Sequence, residues 1–284
     1  MMSETSFLKL LQDARALFQR EPNLLDVNTL PLVFVGDLHG DIETTKKIFE
    51  VYWPQDHTLV FLGDYVDRAI LPNGSLDTLQ LLLEKKLEQP GRVLLLRGNH
   101  EFESVYLYNG FGAEIYEAYE PPQQVLDAVR ETFAQLPYVV TTAQGIVALH
   151  GGLPDLQALG DLMVLPKGIH DAQDHALISQ IVWSDHEESL REGTLPNYDR
   201  GFSDRSALCY SEAHFDHILT LLGRTVLLRG HKPSQKGYAF HDRLLTVFTS
   251  QVYAEKGAQK GTYVAVLSSE KNVSTCKDLE LRFV

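Results

Sequence analysis

Three short apolar runs, LPLVFVG (30–36), HTLVFLG (57–63) and RVLLLRG (92–98), each end in glycine followed by polar residues. Apolar runs this short, bounded by turn residues, are buried strands. Between them the period changes: residues 42–52 and SLDTLQLLLEKKLE (75–88) carry apolar residues at helical spacing, and helical segments continue to about 135. Strands alternating with helices specify an α/β architecture with strands flanked by helices. From about 138 the texture turns to strands, YVVTT, IVALH, TVLLRG, YAFH, LLTVFT and TYVAVLSS, with helical stretches near 171–181 and 212–222. This half reads as a second sheet or a second domain. No Pro/Ser/Gly linker separates the halves, which favours one domain over residues 1–284, with its motif-bearing core at about 31–267.

Ahead of the first strand, Phe7, Leu8, Leu11, Ala14, Leu17 and Phe18 recur at helical spacing, interrupted by Lys9 and Asp13. This predicts an amphipathic helix over 5–20 and not a signal peptide. No apolar run approaches the roughly 20 residues of a membrane span. The two cysteines, Cys209 and Cys276, form no Cys-x-x-Cys pattern and are too few for a disulfide framework. A cytoplasmic protein with no membrane partner is expected. The net charge of −13 argues against a nucleic-acid partner, which needs excess Lys and Arg. A small phosphorylated group held by one or two arginines is compatible with it.

The strand ends carry the chemistry. GDLHG (36–40), GDYVDR (63–68) and GNHE (98–101) place Asp37, His39, Asp64, Asp67, Asn99 and His100 directly after strands. In α/β sheets the crevice beyond the carboxyl ends of the strands is where ligands bind. Two later runs end alike: IVALHGG (146–152) delivers His150 and VLLRGH (226–231) delivers His231. The donors Asp37, His39, Asp64, Asn99, His150 and His231 mix carboxylate, imidazole and amide, which suits Mn, Fe or Zn better than Mg. They are too many for one ion and right for two, with a carboxylate such as Asp64 bridging. Two ions roughly 3.5–4 Å apart are the arrangement that activates water and clamps a phosphoryl transfer. Imidazole ordinarily titrates near neutrality, which suits it to protonating a leaving alcohol.

In this order the blocks GDLHG, GDYVDR, GNHE, HGG and RGH resemble the signature of the phosphoprotein phosphatase family, which includes calcineurin. The likeness continues through LPYVVTTAQGIVALHGGLPDL, IVWSD and KGYAFHDRLLTVFTS and covers about residues 31–267. The resemblance implies mixed β-sheets in a central sandwich flanked by helices. It implies two divalent ions per chain, Mn foremost with Fe or Zn also fitting: Asp37, His39 and Asp64 on the first, and Asp64, Asn99, His150 and His231 on the second. A hydroxide between the ions would attack phosphorus in line. His100 would protonate the leaving alkoxide, with Asp67 orienting it. Arg68 and Arg200 resemble the phosphate-gripping arginines, although Arg205 lies close to Arg200 in sequence, and Asn99 and Tyr253 would also face the substrate. Glu101 fits the start of the following helix, where a carboxylate is favoured.

The chain departs from the family pattern in places. Ala69 follows Arg68 where glycine is usual, ILPNGS lengthens the next loop, His186 follows the WSD block, and TSQVYA replaces the usual Ser-Ala-Pro-Asn-Tyr-Cys. These changes spare the metal set, bear on substrate selection, and resemble a prokaryotic-type member. The expected activity is hydrolysis of phosphoserine and phosphothreonine in phosphorylated proteins or peptides. The alternatives are a symmetrical dinucleotide-polyphosphate hydrolase and an inactive phosphoprotein-binding scaffold. Asp67 and Glu101 stand where the dinucleotide hydrolases typically carry Asn and Asp, and no ligand is missing as a scaffold would require. Regulatory partners are not legible.

Overall fold

The computed structural model describes residues 2–233, 237–255, 257–258 and 261–284. The helices in chain order are α1 (Glu4–Phe18), α2 (Ile42–Tyr52), α3 (Gly74–Glu88), α4 (Glu103–Tyr106) and α5 (Phe111–Ala118). They continue with α6 (Gln123–Phe133), α7 (Gly160–Met163), α8 (Ala176–Trp183), α9 (Glu212–Leu222) and α10 (Gln251–Glu255). The first seven strands are β1 (Leu24–Asp26), β2 (Leu32–Val35), β3 (Thr58–Phe61), β4 (Val93–Leu95), β5 (Val139–Thr141), β6 (Ile146–Leu149) and β7 (Asp185–His186). The rest are β8 (Thr194–Pro196), β9 (Leu208–Tyr210), β10 (Val226–Arg229), β11 (Tyr238–Ala239), β12 (Leu244–Thr246), β13 (Tyr263–Leu267) and β14 (Glu280–Phe283). No described helix is long and apolar enough to cross a membrane.

One sheet has the order β14-β13-β2-β3-β4 and a second β1-β5-β6-β10-β12-β11, while β7, β9 and β8 form a small third. Both large sheets are mixed. The strands β2, β3 and β4 run parallel, and β13 adds antiparallel to β2.

Side-chain alternation along these strands builds the layers. Val33, Val35, Leu59, Phe61, Val93 and Leu95 point to one face, where they pack with α1, α2, α3, α5 and α6. Their neighbours Leu32, Phe34, Val60, Leu62, Leu94 and Leu96 point the other way and meet Val140, Ile146, Ala148, Val226, Leu228 and Leu245 of the second sheet. The outer face of that sheet, with Val139, Val147, Leu149, Leu227 and Leu244, is covered by α8 and α9. The architecture is helix, sheet, sheet, helix, the expected sandwich. The apolar runs of the sequence lack alternation because both faces of each sheet are covered.

Register decides where the polar ends fall. Val35 pairs with Phe61 and Phe61 with Leu95, so the three parallel strands stop level with one another. In the second sheet Ala148 pairs with Leu228, which brings the ends of β6 and β10 together. A backbone bridge between Asp37 and Phe248 ties the two sheets at this same end. Gly63 takes φ +103, and a Cβ there would lie 2.5 Å from the Gly98 nitrogen, so the turns after β3 and β4 close only without side chains.

Candidate metal centre and active site

Asp64 lies at the middle of the cluster. Its Oδ2 is 3.7 Å from His39 Nε2 and 3.9 Å from His100 Nε2, and its Oδ1 is 3.3 Å from His150 Nε2. The Asn99 Oδ1 sits 2.9 Å from His150 Nε2 and 2.7 Å from His231 Nδ1. Ligand atoms of His39, Asp64 and His100 lie within 4.8 Å of one another, as do those of Asp64, His150 and His231. In the first of these groups His100 stands where Asp37 was expected. Asp37 is adjacent, with Oδ2 3.8 Å from His39 Nε2, and both its oxygens accept the His231 N–H, at 2.8 and 3.1 Å. All of these side chains are buried.

The donor set fits divalent cations. His39 Nδ1 and His150 Nδ1 face the carbonyls of Val66 and Leu62 at 3.1 and 2.9 Å, so each ring donates there and turns the lone pair of Nε2 inward. Arg68 Nη1 already donates to that lone pair of His39, at 3.4 Å. Burial, with the His100 ring next, holds His39 neutral by lowering it well below its usual value. Burial would also lower His150, but the Asp64 charge outweighs it and raises the ring, so positive charge is drawn to the position between Asp64 and Asn99. Burial and the neighbouring Asp64 push Asp37 up to about 7 and Glu101 up to about 8. Buried carboxylates crowded enough to retain protons mark a site short of positive charge, the deficit that metal ions fill.

Next to this cluster His100 Nδ1 and Asp67 Oδ2 are 2.6 Å apart. Burial lowers the His100 ring to about 4 and raises the Asp67 carboxyl to about 8. Near neutrality the pair therefore holds two protons, one shared in the short contact and one on His100 Nε2. Arg68, Asn99, His100, Trp183, Arg200 and His231 line a cavity of about 120 Å³ over Asp64.

The two arginines reach the cavity by different means. Arg200 is oriented by Asp185, whose Oδ2 accepts from its Nε at 3.1 Å, and its Nη2 donates to the His231 carbonyl at 3.4 Å. Asp185 also takes Arg229 Nη1 at 3.0 Å. Burial opposes the Asp185 charge, yet Arg229, His231 and Arg200 hold the carboxyl well below the usual range. Arg205 pairs instead with Asp155 at 2.6 Å on the surface. Arg68 meets the hydroxyl of Tyr253, and the Tyr253 ring lies 5.5 Å from that of His39.

One sequence expectation needs amending. Glu101 does not serve the following helix: its Oε2 accepts Asp64 N and Gly98 N and its Oε1 accepts Tyr65 N, each at 2.8 Å. It clamps the turn after β3 to the turn after β4. Ala69 needs no left-handed backbone, because the positive φ falls on Asp67 (71°) and Arg68 (60°). Its methyl is accommodated by two glycines, since a Cβ on Gly40 or Gly74 would approach it to 2.6 or 2.9 Å. The sequence reading missed the Arg229 partner of Asp185; an arginine inside an apolar strand run was its visible sign.

Two packed mixed sheets that gather carboxylates and imidazoles at their strand ends define a metallophosphoesterase fold. The chain belongs to the calcineurin-like phosphoesterase family, whose sequence profile matches residues 30–235. It is 30% identical over 275 residues to a candidate serine/threonine-protein phosphatase of Caenorhabditis elegans, a match covering 95% of this chain and 58% of that protein. It thus spans little more than half the worm protein's length. A candidate serine/threonine-protein phosphatase of Schizosaccharomyces pombe is 29% identical over 270 residues, covering 94% of this chain and 84% of the other. Among solved structures, a protein serine/threonine phosphatase from Saccharomyces cerevisiae shares the fold with TM-score 0.82 and 21% identity, over 99% of this chain and 89% of that one. A cold-active protein-tyrosine phosphatase of a Shewanella species aligns with TM-score 0.60 and 17% identity, over 94% and 84% of the two chains.

Proposed function

We propose that the protein is a dinuclear metal-dependent phosphatase that hydrolyses phosphomonoesters, phosphoserine and phosphothreonine in proteins foremost. The observation that carries this reading is the convergence of His39, Asp64, Asn99, His150 and His231 beside a proton-bearing His100–Asp67 pair and two guanidinium groups on one cavity. The names of the worm and fission yeast relatives support the substrate class. In this assignment Asp37, His39 and Asp64 hold one divalent ion, and Asp64, Asn99, His150 and His231 hold a second. Mn²⁺ suits the mixed oxygen and nitrogen donors. When bound, the ions supply the Lewis acidity that activates attack on phosphorus and neutralises developing charge.

The remaining steps belong to the protein. Arg68 and Arg200 grip phosphoryl oxygens with guanidinium forks. As a hydroxide oxygen bonds to phosphorus and the ester P–O bond opposite it breaks, His100 gives its Nε2 proton to the departing alkoxide, and the proton shared with Asp67 moves onto Nδ1. Tyr253 keeps Arg68 over the cavity. Phosphorylated proteins or peptides are the proposed partners.

The test is a comparison of kcat/KM after chelation and reconstitution with Mn²⁺, using a phosphothreonine peptide, a phosphotyrosine peptide and diadenosine tetraphosphate. Preference for phosphothreonine is the expected result. Preference for the dinucleotide would keep the site and overturn the substrate, while inactivity on all three with Mn²⁺ bound would overturn the enzyme reading.

A further inference from the structure

Helix α3 is not capped by its own sequence: Asn73, the preceding residue, has φ 58° and its side chain makes no capping bond. The cap comes from α5. Glu114 Oε2 accepts the N–H groups of Ser75 and Leu76 at 3.0 and 3.1 Å, and its Oε1 accepts the Ser75 hydroxyl at 2.7 Å. A carboxylate at the amino end of a helix satisfies otherwise orphaned N–H groups and the helix dipole. Once its proton points to Glu114, Ser75 Oγ presents only lone pairs on its other side, where the Asp67 N–H donates to it at 3.1 Å. Ser75 is 0% exposed, so water cannot take its place.

The same helix makes a second contact with Asp67. The Phe111 N–H, in the first turn of α5, donates to Asp67 Oδ1 at 2.8 Å and leaves Oδ2 for His100. Asp67 and Arg68 are consecutive non-glycine residues with left-handed backbones, a conformation that persists only where the surroundings impose it. Ser75 and Phe111 impose it on Asp67, and the Asn109 carbonyl, which accepts the Arg68 N–H at 3.2 Å, imposes it on Arg68.

We propose that Glu114 is a positioning residue for the proton-donating pair, acting through the Ser75 hydroxyl on the backbone of Asp67. Glu114 touches neither substrate nor metal ligands. Through Ser75 it fixes the strained turn that aims Asp67 Oδ2 at His100 Nδ1, and hence the Nε2 proton at the leaving group. The inference rests on the reading of His100 as the acid. Its consequence is selective: loosening the relay penalises substrates whose leaving group needs a proton and spares those whose leaving group does not.

The experiment uses the Mn²⁺-loaded full chain and two substrates, a phosphothreonine peptide and p-nitrophenyl phosphate. Glu114→Gln sets an amide N–H₂ against either Ser75 Oγ or the two backbone N–H groups, and Ser75→Ala removes the relay oxygen. Each variant is expected to lose on the order of tenfold in kcat on the peptide, the equivalent of one hydrogen bond. On the aryl phosphate the loss is below about threefold, because its leaving group needs less protonation. KM and bound Mn²⁺ stay unchanged. Equal losses on both substrates, or loss of bound Mn²⁺, would show a merely structural network and overturn the proposal. His100→Asn run alongside separates the two levels. If it shows the peptide-selective loss and the relay variants do not, the inference fails and the acid assignment stands; if His100→Asn itself loses equally on both, the acid assignment falls and the inference with it. Should Glu114→Gln fail to fold, Ser75→Ala, a deletion of one oxygen, decides the matter alone.

Discussion

Replacing Asp185 by Asn strips the charge from a carboxylate that is 2% exposed and serves two guanidinium groups. Its Oδ1 takes Arg229 Nη1 at 3.0 Å, and its Oδ2 takes Arg200 Nε at 3.1 Å and Asn197 Nδ2 at 3.2 Å. An amide retains one acceptor and turns an N–H₂ toward either Arg229 or the Arg200–Asn197 side. Arg229 is 0% exposed, so its charge has no route to water. Breaking a buried ion pair from one side costs about 3–5 kcal/mol. The exposed pair Arg205–Asp155, at 54% and 41% exposure, sets the contrast, since such pairs are worth about 0–1 kcal/mol. With an unfolding entropy of about 2.1 cal/mol/K per residue, a chain of 284 residues converts the larger loss into a Tm decrease on the order of 5–8 °C.

The pH dependence follows from the direction of the Asp185 shift. Because the folded-state carboxyl is held below its unfolded value, its stabilisation is complete above the usual carboxylate range and is lost as pH falls through the depressed value. The gap between wild type and Asp185→Asn should therefore be full at pH 7 and shrink only in strong acid. Urea unfolding followed by circular dichroism and tryptophan fluorescence measures it. A change no larger than that of Arg205→Ala would refute the reasoning. So would failure of the paired change Asp185→Leu with Arg229→Met, which removes both charges, to recover stability.

Two further outcomes are expected. Gly98→Ala would set a Cβ 2.3 Å from Asp64 Oδ1, so Mn²⁺ affinity measured by calorimetry should collapse while the helical circular dichroism persists; near-normal affinity would contradict the close approach. Burial holds the His186 imidazole down at about 4, so the unfolded chain takes up a proton before the folded one does and stability drops as pH falls from about 6.5 to about 4. His186→Phe, which keeps an aromatic ring against Phe240, should flatten that stretch by up to about 1.4 kcal/mol per pH unit, read from denaturant midpoints across the range.

What was legible in the sequence was local. The helices α2 and α9 lie where the spacing put them, and each histidine or carboxylate after an apolar run reached the same crevice, because strand ends level in register can only converge. Contacts between distant segments were not legible. Asp185 and Arg229 are 44 residues apart, and Glu101 and Asp64 are 37 apart. No periodicity reports that a strand-borne arginine has a carboxylate facing it, or that a carboxylate after a strand will turn back to take three N–H groups. The strands β1 and β14 and the small third sheet went unseen for a related reason: they are too short to carry a pattern, and their place comes from a neighbour. The identity of the residue in place of Asp37 in the tight imidazole group was equally a matter of side-chain direction.

The position of β13 bears on how the chain is made. β2 sits between β3, which follows it closely, and β13, which is translated long after both. Until Tyr263–Leu267 emerges, β2 presents its Leu32–Val35 backbone on one side with no antiparallel partner, on a strand that is apolar on both faces. Such an edge recruits other strands, so the nascent chain carries a self-association hazard until that segment is made. Truncations that stop short of Tyr263 should aggregate even though every candidate metal ligand has already been translated.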